Sequence, residues 1–187
     1  MDSIRRVVAG IDGTGKSVFV SDRQVHGIRP PILGGATLID LFGEDGVPTV
    51  PNDGTDRTDR RYFPGRGGYR FTLFSYPPAT RMTVPDDLPA AIAESAALAP
   101  GLEDAVSQPD GWHYTPTVDL EYVMEGEFTL YLDDGASKVL RAGDCIVHCG
   151  DKHSWVNESD QQATMLLVFI GADQDESRFG EWAIRHD

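Results

Sequence analysis

Between Trp112 and Ile170 the apolar residues come in short bursts, and turn-forming residues interrupt them every few positions. Strands are predicted over residues 118–124, 127–132, 137–140, 144–148, 154–157 and 164–170. The breaks are Glu125-Gly126, Asp133-Asp134-Gly135, Ala142-Gly143, Cys149-Gly150-Asp151 and Glu158-Ser159-Asp160. Many short strands joined by tight turns fold into a sandwich or barrel, not into a parallel sheet with crossover helices.

The first half adds predicted strands over 5–8, 17–20, 36–42 and 69–76. Residues 43–68 carry Asp, Gly, Pro, Thr and Arg with few apolar side chains, and read as one long loop. A loop of that length usually covers a site or a partner surface. Pro85-Asp86-Asp87-Leu88-Pro89 opens an alanine-rich helix near 86–99, which Pro100-Gly101 stops; a second short turn is expected over 102–106. At 187 residues one domain is the natural expectation. It divides into an N-terminal β-rich extension (1–84), a helical insert (85–108), a barrel core (109–171) and a polar tail (172–187). The extra N-terminal strands are expected to lengthen the barrel sheets or to pair across a homodimer.

Thirty acidic against sixteen Lys and Arg side chains leave a net charge of −14. Phosphate backbones and anionic lipid surfaces need a basic face, so neither nucleic acid nor membrane is an expected partner. No run approaches the roughly 20 apolar residues of a membrane span. The opening Met1-Asp2-Ser3-Ile4-Arg5-Arg6 lacks an apolar run, so no signal peptide is expected. Two cysteines, Cys145 and Cys149, make no disulfide framework and read as buried reduced thiols. A cytoplasmic location follows as the expectation.

Gly10-Ile11-Asp12-Gly13-Thr14-Gly15-Lys16-Ser17 fits the letters of a phosphate-binding loop. That motif works only where a helix begins at the Lys-Ser, with its free N–H groups facing the phosphates. Here β-branched Val18-Phe19-Val20 follows, so a hairpin turning at Asp12-Gly13-Thr14-Gly15 is predicted instead.

Two ordered half-motifs flank the strand-rich segment. In the first, His113, Thr115 and Asp119 lead to Gly126, with six residues between Asp119 and Gly126. In the second, Gly143, Asp144, Gly150, His153 and Asn157 follow in order. Together they resemble the two motifs of the cupin superfamily, G-x5-H-x-H-x3,4-E-x6-G and G-x5-P-x-G-x2-H-x3-N. Thr115 stands where the second His falls, Asp119 stands at the Glu, and the second motif is one residue shorter in its middle. Arg5-Arg6-Val7-Val8, Gly10, Gly15-Lys16 and Val18 are similar to the opening of a group of small cupin-domain proteins of bacteria and fungi. Some fungal members of that group are assigned as oxidoreductases of polyketide pathways.

The resemblance implies an all-β, RmlC-like jelly-roll β-barrel with an N-terminal β extension and one short helical insert. It also implies a metal site of His113, Asp119 and His153. Two imidazoles and a carboxylate suit one divalent ion, Fe(II), Mn(II), Ni(II) or Zn(II), and leave positions open for substrate. Residues two apart share a strand face, so Thr115 sits with His113 and Glu121 with Asp119. Glu121 is then a candidate general base or competing ligand, and Thr115 a group that orients substrate. Tyr122, Tyr131 and Trp155 are candidate walls of a small-molecule pocket, with Trp112 and Tyr114 as further aromatic residues that fit a core equally well. His148 is expected at the rim or in solvent, and His26 and His186 in solvent. His153 has a plainer reading as a core-edge ring bonded to Asn157. The functional expectation is a metal-dependent oxidoreductase or isomerase acting on a small, aromatic or polyketide-like molecule. The rivals are a metal-free binding or sensing barrel and an interaction protein that docks a partner through the 43–68 loop.

Overall fold

Ten strands carry the chain, and their inward residues follow the period-two alternation of the sequence. The computed structural model describes residues 1–57, 60–106 and 111–179. The strands are β1 (Ser3–Ile11), β2 (Ser17–His26), β3 (Thr37–Glu44), β4 (Tyr69–Tyr76), β5 (Thr117–Glu125), β6 (Glu127–Tyr131), β7 (Ser137–Arg141), β8 (Cys145–Cys149), β9 (Ser154–Val156) and β10 (Ala163–Gly171). Helices α1 (Leu88–Leu98) and α2 (Leu102–Val106) form the insert, and the short α3 (Glu176–Phe179) follows the last strand.

A five-stranded antiparallel sheet runs β3-β4-β10-β5-β8, and a three-stranded sheet runs β7-β6-β9. Their inner faces meet in one apolar layer. Phe128, Leu130, Leu140 and Trp155 of the small sheet pack against Val123, Met165, Leu167 and Phe169 of the large one. This is the jelly-roll barrel of the cupin fold, and it is mostly β, with the described α-helices confined to the insert and the C-terminal segment. Gly126 makes the tight β5–β6 turn possible. It holds a φ of 75°, and a Cβ there would meet Ala163 at 2.8 Å.

Of the N-terminal strands, β3 and β4 lengthen the large sheet as expected, whereas the hairpin β1–β2 is a separate two-stranded sheet. Ile4 and Val25 of that hairpin cover the outer face of the large sheet at Ile39, Leu41 and Leu73. The turn settles the phosphate-loop reading as well. Asp12 Oδ1 accepts from the backbone N–H groups of Thr14 (2.8 Å) and Lys16 (3.0 Å), so a carboxylate holds the amides that a phosphate would need. A strand, not a helix, follows at Ser17.

The long loop, 45–68 once the strand ends are known, packs back on its own chain. Asp56 pairs with Arg6 (2.6 Å), Arg23 (2.8 Å) and Arg60 (3.3 Å). Tyr62 and Phe63 pack on Phe169. At the loop's end Gly67 N–H donates to Gly171, and a Cβ on Gly171 would fall 1.9 Å from the Gly65 carbonyl oxygen. Tyr62 and Phe63 of this loop line the cavity inside the barrel. In the insert, the Asp87 carboxylate caps α1 by accepting from Ala90 N–H at 3.0 Å. Ser95 Oγ accepts from Ile32 N–H at 3.1 Å and anchors that helix beside the mouth.

Candidate functional site

Strand β5 puts two carboxylates on one side. Thr117, Asp119, Glu121 and Val123 are buried, while Leu120, Tyr122 and Met124 are exposed. Asp119 and Glu121 therefore both face the barrel interior. Next to β5 in the sheet, β8 turns Cys145, Val147 and Cys149 outward and His148 inward, with Asp119 opposite His148 in the register. His113 precedes β5 and His153 precedes β9. Each donates its backbone N–H to the other's carbonyl at 2.9 Å, which fixes the two rings 4.5 Å apart. The ring of His148 stacks on that of His153 at 3.9 Å and 16°.

All three imidazoles are held by one nitrogen. His113 Nδ1 donates to the Gly111 carbonyl (3.1 Å), His153 Nδ1 to the Asp151 carbonyl (2.9 Å), and His148 Nδ1 to the Asp151 carboxylate (2.8 Å). Each of those oxygens only accepts, so Nδ1 carries a proton in all three rings. An outer oxygen that holds Nδ1–H is the arrangement that orients imidazole ligands around metals. Burial lowers the proton affinity of His113 and His153, and the neighbouring imidazoles add to it. Burial also raises the carboxyls: Asp119 is pushed up to about 6, and Glu121 lies well above the ordinary range, with Asp119 beside it as a further cause. Burial alone would raise Asp151 too, but its bonds to His148 and to Cys149 N–H outweigh that and hold it below the ordinary carboxylate range.

Asp119 Oδ1, Glu121 Oε2 and His148 Nε2 are buried without a hydrogen-bond partner among the described residues, and the last two lie 4.0 Å apart. Buried polar atoms are nearly always bonded, so orphaned atoms of this donor chemistry fit a divalent cation. Donor atoms of His148, Asp151 and His153 also lie within 4.8 Å of one another, close enough to hold one ion.

In front of these groups lies a cavity of about 410 Å³. His113, Thr115, Asp119, Glu121 and His153 form its polar end. Tyr62, Phe63, Phe74, Tyr76 and Phe169 line its aromatic side, while Met82, Val84 and Leu88 edge it from the segment leading into α1. Among the described residues, no Lys or Arg lines it. Thr115 is buried, with its Oγ1 2.6 Å from Thr117 Oγ1 and 3.4 Å from Asp119 Oδ2, so it steadies the carboxylate from behind.

Several expectations need correction. Tyr122 is 46% exposed on the outer face of β5, because its parity opposes that of Asp119 and Glu121. Tyr131 donates its hydroxyl to Glu158 at 2.6 Å and does not line the cavity. Trp155 does line it. Cys145 and Cys149 are exposed free thiols, not buried ones, since the inward parity of β8 belongs to Ile146 and His148. His148, expected at the rim, is buried. Asn157 does not bond His153; its amide donates to the carbonyls of Tyr76 (3.2 Å) and Gln161 (2.8 Å) and joins strand ends. His26 is exposed and His186 lies outside the described residues. Tyr114 is buried, and Trp112 carries Lys152 over its ring at 5.1 Å. The aromatic wall of Tyr62, Phe63, Phe74 and Tyr76 was not foreseen. Its residues come from the long loop and from β4, far from the recognisable motifs in sequence.

Fold and site together define a small β-barrel with imidazole and carboxylate donors at one end of an apolar cavity. Residues 102–169, about a third of the chain, match the family model of the cupin domain, which makes that segment a cupin domain. Among curated relatives, it is 39% identical over 62 residues to oryzines biosynthesis cluster protein J of Aspergillus oryzae. That match covers 33% of this chain and 34% of the relative, and the matches to two phomopsin biosynthesis cluster proteins of Diaporthe leptostromiformis cover 30% of each. The chain thus spans about a third of the length of these relatives. A longer alignment is with a cupin-domain-containing oxidoreductase of Neurospora crassa, 26% identical over 88% of this chain and 71% of that one. Among solved structures, the polyketide cyclase RemF of Streptomyces resistomycificus aligns over 78% of this chain and 73% of its own, at 21% identity and a TM-score of 0.45.

Proposed function

We propose that this protein is a metal-dependent cupin enzyme of the oxidoreductase or isomerase type, acting on a small, uncharged, aromatic or polyketide-like molecule. The observation that carries the reading is the juxtaposition of unpartnered buried donors with an aromatic cavity that, among the described residues, no basic side chain lines. A flat neutral molecule gains burial and ring contacts against the aromatic side of the cavity. The likeness to a cupin-domain-containing oxidoreductase of Neurospora crassa supports the oxidoreductase class.

In this reading His113, Asp119 and His153 hold one divalent ion, Fe(II), Mn(II), Ni(II) or Zn(II). Bound there, the ion supplies Lewis-acid polarisation of a substrate oxygen or, if iron or manganese, a one-electron couple. The chain does the rest. Glu121, a carboxyl at the polar end of the cavity that burial raises well above its ordinary range, is the group placed to exchange a proton with substrate. Thr115 orients Asp119 through their contact. Trp155, Phe74 and Tyr76 exclude water from the polar end and align the substrate ring. The exposed free thiols Cys145 and Cys149 support a cytoplasmic location, where such groups stay reduced. No described helix is long and apolar enough to cross a membrane.

Elemental analysis after purification without added metal, then after reconstitution with each ion, tests the reading. About one equivalent of metal is expected. Less than about a tenth would favour a metal-free binding or sensing barrel, the reading to which the loss of an imidazole at Thr115 points.

We further propose a homodimer in which a second copy covers the outer face of β5 and β8. Leu120, Tyr122 and Val147 are exposed there, next to one another in the strand register, while the N-terminal hairpin covers only the β3–β4 half of that face. Light scattering is expected to give twice 20.4 kDa, and Val147→Glu is expected to halve it. A strict monomer at micromolar concentration would count against this.

A further inference from the structure

The ring of Tyr76 lines the cavity, and its hydroxyl has no hydrogen-bond partner among the described residues. Other tyrosines are engaged. Tyr62, on the same cavity, has Thr72 beside its hydroxyl, and Tyr131 donates to Glu158 at 2.6 Å. Burial pushes the Tyr76 hydroxyl up to about 12, with no bond or neighbouring charge contributing. Yet its oxygen is not among the polar atoms sealed inside the protein without a partner. Shielded from bulk water but not sealed, the hydroxyl opens onto the cavity that its ring lines. An unbonded hydroxyl in apolar surroundings costs stability until something pairs with it. A phenyl ring, as at neighbouring Phe74, would pack there without that cost.

Strand register places this hydroxyl. Thr72, Leu167 and Glu121 lie in one row across β4, β10 and β5, and Tyr76 lies four residues further along β4, opposite Ala163. Its backbone is therefore roughly 13 Å along the sheet from the Glu121 row. Phe74 stands between the two rows, with its ring 4.6 Å from that of Tyr76. The cavity thus has a second polar point, supplied from a different row than its carboxyls, with an aromatic ring between. A phenol donates one hydrogen bond, and no protein acceptor takes this one.

We propose that Tyr76 is a specificity-determining residue whose hydroxyl donates to an oxygen of the bound molecule, at the end remote from the imidazoles and carboxyls. The substrate is then an extended, neutral molecule, longer than one ring, with a carbonyl, ether or hydroxyl oxygen at its non-reacting end. The inference rests on the small-molecule reading of the cavity above and does not depend on the metal.

The test removes one oxygen from the ligand and one from the protein. Binding of acetylnaphthalene and of its hydrocarbon isostere isopropenylnaphthalene is measured by calorimetry, with a chelator present so that no metal acts. Wild type is expected to prefer the ketone by about 3–10-fold, and Tyr76→Phe to bind the two within about twofold of each other. Without ligand, Tyr76→Phe is expected to melt no lower than wild type, because the hydroxyl it loses bonds nothing. A drop of more than about 3 °C would reveal an internal partner and overturn the inference. So would an equal preference in both proteins, or none in wild type, while the small-molecule reading stands. If neither compound binds wild type up to its solubility limit, the aromatic cavity is not a small-molecule site, and reading and inference fall together.

Discussion

Replacing His153 by alanine is expected to abolish metal retention and turnover while the barrel remains folded. The ring sits between the other two imidazoles, 4.5 Å from His113 and 3.9 Å from His148, so any ion shared by these residues passes beside it. Losing it costs more than the ~10–100-fold in affinity that an outer partner is worth. Bound metal should therefore drop below about a tenth of an equivalent under conditions that fill the wild type. The fold has little stake in the ring itself. The backbone pair that joins His113 to His153 needs no side chain. The one lost side-chain bond, to the Asp151 carbonyl, is worth about 1 kcal/mol, and half-buried Asp151 can take water instead. Removing a desolvated ring crowded by two imidazoles returns part of that. A melting temperature within ~5 °C of wild type is expected, together with an unchanged circular dichroism spectrum. Wild-type metal content in the variant would show that the donors do not act as one site.

What could be read ahead of the structure divides along a physical line. The strands were legible because each carries its own alternation and its own turn, as in Thr117–Glu125 ending at Gly126. Asp119 and Glu121 could be placed on one face by counting, and burial of their neighbours then decides that this face is the inner one. His148 resisted the same counting. Parity paired it with Ile146 but could not say which side of β8 was inside, and no spaced histidine marked it. The choice is made by sheet order, which sets β8 next to β5 and turns His148 toward Asp119. Tyr122 and the two cysteines were misplaced for the same reason. The aromatic wall was invisible for another. Tyr62 and Phe63 lie in a stretch with no periodicity at all, and long-range bonds bring them to the cavity.

Those bonds depend on Arg70, and Arg70→Met is expected to cost about 3–5 kcal/mol of folding stability and to loosen the cavity with it. The guanidinium is buried on β4 and works as a clamp between both ends of the long loop. Its Nε and Nη2 donate to the Arg61 carbonyl at 2.9 and 2.6 Å. Its Nη1 donates to the carbonyls of Glu44 (2.8 Å) and Tyr69 (2.9 Å), and Nη2 also pairs with Asp45. Methionine fills the space but leaves three carbonyls short of a donor, at ~1–3 kcal/mol for each that water cannot reach. The loss should appear as a lower denaturant midpoint with little change in slope. Arg70→Lys should recover less than half of it, because a single ammonium cannot reach carbonyls on three sides as a planar fork does. Arg61 leads directly into Tyr62 and Phe63, so freeing its carbonyl frees the wall those two rings make with Phe169. A hydrophobic fluorescent probe that binds the wild-type cavity should consequently bind the variant at least tenfold more weakly, at a denaturant-free temperature where both are folded. A destabilisation below about 1 kcal/mol would mean that water reaches all three carbonyls and that the loop holds its place without the clamp.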